Sequence, residues 1–234
     1  MKSLHKIFDI LEYVTLRNGE PVTPGEASSA LSLNIATASR IMGELVKRGY
    51  LVKVSRKSGY IAGPMTVSLV TRDNPYKRIA DASRLPVLRL SEKLGCQVNI
   101  SVMHDSTRYM LYFNMPDTAL SPWRHFDFTD HWNTATGRLL TAGCDDTEAK
   151  KICRRCGLKT FPSEEIAKIR RNGSVDFEAD GLRIIGHWIK LPGYPVAAVG
   201  FGVPPERAEE AFRLSAATAD EITGKLTVGT CQAY

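Results

Sequence analysis

Residues 35–49, IATASRIMGELVKRG, set the tightest limit on what this chain can fold into. At the helical period Ala38, Ile41, Met42 and Leu45 fall on one side. Ala36, Thr37, Arg40, Gly43, Glu44 and Lys47 fall on the other, with Ser39 at the edge. The first stripe must be buried against neighbouring elements, whereas the second face is flat, small-residued and largely basic. Gly49, a favoured residue just past a helix end, closes a helix over 35–48.

Upstream, Leu4, Ile7, Phe8, Leu11 and Val14 have helical spacing over 4–17, and Asn18-Gly19 stops that helix. Thr23-Pro24 reads as an N-cap with proline at the first helical position, opening a short helix over 25–31. Ser32-Leu33-Asn34 makes the tight turn into the basic helix. Two short helices joined this way form a helix-turn-helix. Downstream, 50–54 and 60–62 read as strands flanking Ser55-Arg56-Lys57-Ser58-Gly59, a basic hairpin tip that serves as a wing.

The charge is distributed to match. The net charge is +6, with residues 1–72 holding 10 Lys and Arg against 5 Asp and Glu, and the remainder 21 against 20. Within 34–57, Arg40, Lys47, Arg48, Lys53, Arg56 and Lys57 face only Glu44. A basic run can be mere solvated surface; joined to a helix-turn-helix and a wing it points to double-stranded operator DNA. The expectation is that Asn34, Ala36, Thr37, Ser39, Arg40 and Lys47 meet the major groove, while Arg56 and Lys57 neutralise phosphates. A winged helix used for protein contacts, attached to a ligand-binding sensor or enzyme, is the alternative.

Other classes are excluded. An apolar content of 43% and a charged content of 24% suit a globular protein rather than a disordered one. No apolar run reaches the roughly 18 residues a membrane span needs. His5, Lys6, Asp9 and Glu12 interrupt the amino-terminal apolar pattern in a way no secretory leader tolerates, so a cytoplasmic protein with reduced thiols at Cys96, Cys144, Cys153, Cys156 and Cys231 is expected.

Beyond residue 63 the pattern changes. A short apolar-periodic stretch over 64–70 reads as a linker helix; the break at Asp73-Asn74-Pro75 separates it from a second pattern through Ile79, Ala82, Leu85, Leu88, Leu90 and Leu94. Strands are expected over 97–103 and 108–115, helices over 134–143, 146–156 and 163–172, strands over 182–190 and 195–203, and a final helix over 206–225. The fold class is α+β with an antiparallel sheet, organised as a winged helix over 1–63, a linker helix over 64–76, and a ligand-binding and oligomerisation domain over 77–234.

These residues resemble the IclR (isocitrate-lyase regulator) family of bacterial transcriptional regulators. The likeness lies in Thr37, Arg40 and Leu45, in Gly49-Tyr50-Leu51, and in the wing ending Gly59-Tyr60-Ile61-Ala62-Gly63. It continues through Thr134-Ala135-Thr136-Gly137-Arg138-Leu139-Leu140, residues 166–173, Glu178, Gly181-Leu182-Arg183 and Ala197-Ala198-Val199. The chain departs from the family at His187-Trp188, where members commonly carry Ala-Pro, at Gly200 and Gly202, where they carry serine, and at Arg138, where they carry lysine.

The resemblance implies a GAF-like effector-binding domain and a homodimer, or a tetramer of paired dimers. It also implies an effector site bordered by Trp132, Thr134, Ala135, Thr136, Gly137, Glu178, Leu182, Ile184, Gly200 and Gly202. On chemistry alone, a Thr134-capped helix offers the amides of Thr136 and Gly137, with Arg138 nearby, to a carboxylate. Trp123, Phe126, Phe128 and Trp132 either bracket an aromatic acid there or pack as core.

No cofactor, metal or catalytic residue is expected. His125, Asp127, Asp130 and His131 match no closed zinc spacing, and Cys153-Arg154-Arg155-Cys156 is a lone pair of thiols.

Overall fold

The computed structural model describes residues 2–17, 19–55, 57–116 and 130–230. The chain divides into two compact units, Met1–Asp73 and Asn74–Tyr234.

The first unit holds α1 (Lys2–Thr15), α2 (Pro24–Ala30), α3 (Ile35–Lys47), β1 (Leu51–Ser55), β2 (Gly59–Ala62) and α4 (Pro64–Val70). A reciprocal cap starts α2: the Glu26 amide donates to Thr23 Oγ1 at 3.2 Å, and the Thr23 amide donates to the Glu26 carboxylate at 2.7 Å. Asn34 Oδ1 accepts from the Ala36 amide at 2.8 Å and opens α3. Ile10 and Val14 of α1, Ala27 of α2, and Ala38, Ile41, Met42 and Leu45 of α3 close one core with Val22 and Leu51. Helix α3 thus buries the stripe that its spacing defines, whereas in α1 the buried residues are Ile10 and Val14, and Leu4 and Phe8, which spacing assigned to the stripe, are exposed because the face that meets α3 is rotated toward Ile10.

The second unit begins with α5 (Pro75–Leu94), which Asn74 caps and which continues through Pro86. β3 (Val98–His104) and β4 (Thr107–Asn114) follow, then α6 (Ala135–Gly143), α7 (Asp146–Arg155), α8 (Ser163–Asn172), β5 (Ser174–Ala179), β6 (Leu182–Ile189), β7 (Ala197–Val203), a 3₁₀ turn at Pro205–Arg207, and α9 (Ala208–Thr230). The strands form one antiparallel sheet in the order β4-β3-β7-β6-β5.

Alternation along each strand separates two layers. Val98, Ile100, Val102, Ile185, Ile189, Val199, Phe201 and Val203 pack with residues of α5 and α9. Ala198, Ile184, Val175, Phe177 and Trp188 pack with α6, α7 and α8. The outcome is a three-layer α/β/α unit, helices covering both faces of one sheet.

Strand β5 was not expected from the sequence, although Val175, Phe177 and Ala179 alternate with Asp176 and Glu178. Its signal is short and interrupted by two charges, as suits an edge strand. The final helix begins two residues later than expected because Pro204 and Pro205 hold the 3₁₀ turn ahead of it.

Among the described residues no helix is long and apolar enough to cross a membrane. Cys96, Cys144 and Cys153 are free thiols, and burial pushes the Cys96 thiol up to about 12. Cys231 and Asn18 lie outside the described residues.

Candidate nucleic-acid interface and ligand site

The first candidate site is the outer face of α3 with the hairpin beside it in sequence. Asn34, Ala36, Ser39, Arg40 and Lys47 are exposed and Thr37 is half-buried, so the expected polar ridge is open to solvent. Two bonds hold the turn that aims it: Ser28 Oγ donates to the Leu33 carbonyl at 2.6 Å, and the Leu33 amide donates to the Ser28 carbonyl at 2.9 Å. Ser32 takes a positive φ of 52° between them.

Not all of the ridge's charge is free. Lys47 Nζ donates to Glu44 Oε1 at 2.7 Å, and this bond holds the exposed Glu44 carboxyl below its usual range. Asn34 spends its side-chain oxygen on the cap.

The wing is built by β1 and β2 in antiparallel register, Leu51 opposite Ala62 and Lys53 opposite Tyr60. Val22 ties it to the helices, since the Val22 amide donates to the Tyr60 carbonyl at 2.8 Å and the Tyr60 amide returns a bond at 2.9 Å. Only glycine fits at position 59, where φ is +97° and a Cβ would stand 2.3 Å from the Val22 carbonyl oxygen. Lys57 is exposed at the tip; Arg56 lies outside the described residues.

The second candidate site is the start of α6 on the sheet. Thr134 Oγ1 accepts from the Gly137 amide at 3.2 Å and donates to the Asp130 carbonyl at 3.2 Å. The buried Arg108 of β4 donates to the same Thr134 hydroxyl and, at 3.1 Å, to Thr136 Oγ1. Behind them Thr136 Oγ1 lies 3.5 Å from Asn99 Oδ1, Ser101 Oγ donates to that oxygen at 3.1 Å, and Asn99 Nδ2 donates to the Gly200 carbonyl at 3.0 Å. A polar strip thus runs from β4 across β3 to the helix start.

Three expectations change. The Gly137 amide serves the cap and is not offered outward. Arg138 points elsewhere: its Nε donates to the Trp132 carbonyl at 2.5 Å, its guanidinium pairs with Glu165, and it lies 3.4 Å over the Phe177 ring and 5.0 Å over Trp132. Burial lowers its pKa while Glu165 opposes that shift. Glu178 is exposed and alternates away from Phe177 and Ala179, which face α6, so Glu178 lies on the opposite side of the sheet.

Gly200 is used for packing, since a Cβ there would stand 2.9 Å from Ala135 Cβ and from Thr136 Cγ2. At Gly202, two residues along, a Cβ would meet the tips of Ile184 and Leu182 at 3.1 and 3.3 Å and Leu182 Cβ at 3.7 Å. The structure therefore brings Thr134, Ala135, Thr136, Gly202, Leu182 and Ile184 to one face, with Trp132 at the edge of that cluster.

Trp188 packs beneath α6 with Nε1 donating to the Leu139 carbonyl at 2.9 Å, and His187 turns to the other face, 2.9 Å from Ser215 Oγ. Arg108 escaped the sequence reading; its signal was a lone arginine beginning an otherwise apolar strand pattern. Trp123, Phe126, Phe128, His125 and Asp127 lie outside the described residues. Among the described residues no group of three His, Cys, Asp or Glu side chains gathers as metal ligands.

A winged helix-turn-helix followed by a GAF-like α/β/α unit defines the class of molecule. Residues 3–55 match the IclR helix-turn-helix domain. No curated protein matches the chain in sequence. Among solved structures, an IclR homolog from Microbacterium hydrocarbonoxydans complexed with 4-hydroxybenzoate superimposes with a TM-score of 0.79 at 18% identity, covering 97% of this chain and 99% of that one. The Thermotoga maritima IclR gives 0.65 at 22% identity over 97% and 99%, and Pseudomonas aeruginosa HmgR gives 0.73 at 14% over 96% and 99%. The IclR resemblance therefore holds: the chain carries an IclR helix-turn-helix domain at its amino terminus and the IclR regulator fold throughout.

Proposed function

We propose that this protein is a DNA-binding transcriptional regulator whose operator affinity is set by a small organic acid. The observation that carries the reading is the open face of α3, where Ala36, Ser39, Arg40 and Lys47 are exposed while the opposite stripe is fully committed to the core. A second recognition helix, supplied by a homodimer, would meet a half-site one helical turn or more away.

The α6 site supports the effector half of the proposal. Arg108 and the amino-terminal end of α6 both place positive potential there, and Leu182, Ile184 and Trp132 add apolar surface. That pairing suits an aromatic or aliphatic carboxylate, the class to which the Microbacterium relative's 4-hydroxybenzoate belongs. The effector shifts the DNA-bound population by its differential affinity for two arrangements, typically about 1 to 3 kcal/mol.

The test uses the full chain and a labelled duplex selected by it from a randomised pool, with 4-hydroxybenzoate and benzoate as probes. We expect either acid to change duplex affinity roughly fivefold or more. Gly202→Val, whose Cβ would meet side-chain atoms of Ile184 and Leu182 and no backbone within its nearest contacts, should abolish that response and leave duplex binding intact. A response that survives Gly202→Val moves the effector site elsewhere.

A further inference from the structure

Resting on the DNA-binding reading, we propose that Ile35 reads the 5-methyl group of thymine and that each half-site carries a preferred thymine where α3 enters the groove. Ile35 is the first residue of α3 and is 56% exposed, a branched aliphatic side chain leading a helix whose outward face is otherwise small or polar. It takes no part in the core formed by Ala38, Ile41, Met42 and Leu45. Folding of the unit leaves its apolar surface wet.

A second observation concerns what is kept off it. Gly25 of α2 lies beside it, and a Cβ on Gly25 would stand 3.9 Å from Ile35 Cδ1. Any longer side chain at 25 would begin to cover the isoleucine; glycine leaves it open. Ala36, the next residue, is exposed too, so two apolar side chains lead the helix. Asn34 just before them has its side-chain oxygen committed to the Ala36 amide, which removes an acceptor from base recognition at this end.

The residues at the start of a recognition helix approach base edges most closely. In the major groove every base presents hydrogen-bonding atoms, and thymine alone presents a methyl group. An exposed isoleucine at this point has one apolar partner available among the four bases. Arg40, further along the same face, suits guanine or phosphate instead, so discrimination is divided between an apolar contact at the start of α3 and a charged one in its middle.

The test replaces each thymine of the selected duplex in turn by deoxyuridine, which removes the methyl group and keeps the pairing. The unmodified chain should lose about fourfold in affinity at one thymine per half-site, the loss expected for uncovering one methyl-sized group. Ile35→Ala should bind more weakly and lose its sensitivity to deoxyuridine at that position while keeping it elsewhere. Because the substitution is on an exposed side chain, thermal unfolding should be unchanged.

If no thymine is sensitive in the unmodified chain, or if Ile35→Ala retains the same sensitive position, the proposal is overturned while salt-dependent duplex binding still stands. If the chain binds no duplex in a salt-dependent way, the regulator reading fails and takes this one with it.

Discussion

Gly137→Ala should lower the unfolding temperature of the second unit by roughly 10 °C. Alanine is ordinarily favoured over glycine in a helix by up to about 1 kcal/mol, so the sign depends on space. At Gly137 an added Cβ would stand 2.1 Å from the His131 carbonyl oxygen and 2.5 Å from Thr134 Oγ1. Neither is the free end of a flexible chain. Relief requires moving backbone and breaking the Thr134 cap, with overpacking of about 1 to 3 kcal/mol added to a lost cap of about 1 kcal/mol.

A loss of about 3 kcal/mol in a unit of this size corresponds to the stated shift. The three tryptophans, Trp123, Trp132 and Trp188, all belong to the second unit, so their fluorescence reports its melting alone. Gly143→Ala is the control: its Cβ meets only Val196 and Trp188 side-chain atoms at 3.8 to 4.0 Å, and melting should stay within about 2 °C. A Gly137→Ala protein that melts with the unmodified one contradicts the close fit of α6.

The second large effect concerns DNA. Arg40→Ala should weaken binding to the selected duplex roughly tenfold to a hundredfold and narrow the gap between selected and scrambled duplexes. An arginine in bidentate contact with a base edge contributes about 1 to 3 kcal/mol of discrimination. Lys57→Ala at the wing tip should act differently, weakening all sequences alike and reducing the salt slope by about 0.9. Lys47→Ala should change affinity less, because Glu44 already neutralises that ammonium group in the free protein. Equal loss on selected and scrambled duplexes for Arg40→Ala would reassign it from base to phosphate.

The first unit was largely legible in the sequence because its signals are local. The stripe Ala38, Ile41, Met42 and Leu45 follows from helical period alone, and Thr23 and Gly49 mark helix ends through their own capping chemistry, whereas Asn34, read as a groove contact, caps α3 in the structure. The α6 site was legible only in outline. Sequence placed Arg138 near the helix start, but helical periodicity does not say that Glu165, Phe177 and the Trp132 carbonyl will claim its guanidinium from other elements.

Arg108 was missed for the converse reason. It lies 26 residues before Thr134 in sequence, and only the antiparallel pairing of β3 with β4 brings it under α6. Glu178 was misplaced because its strand was not recognised, and without a strand there is no alternation to assign a face.

The claim on which the rest stands is that α3 and its wing form a cationic surface for duplex DNA. The direct measurement is the affinity of the full chain for the selected duplex between about 50 and 300 mM salt, beside a scrambled duplex of equal length. The account predicts a steep linear fall of log affinity with log salt for both, with the selected duplex tighter at every concentration. A flat response, or equal weak binding to both duplexes, would contradict it and favour a winged helix used for protein contacts.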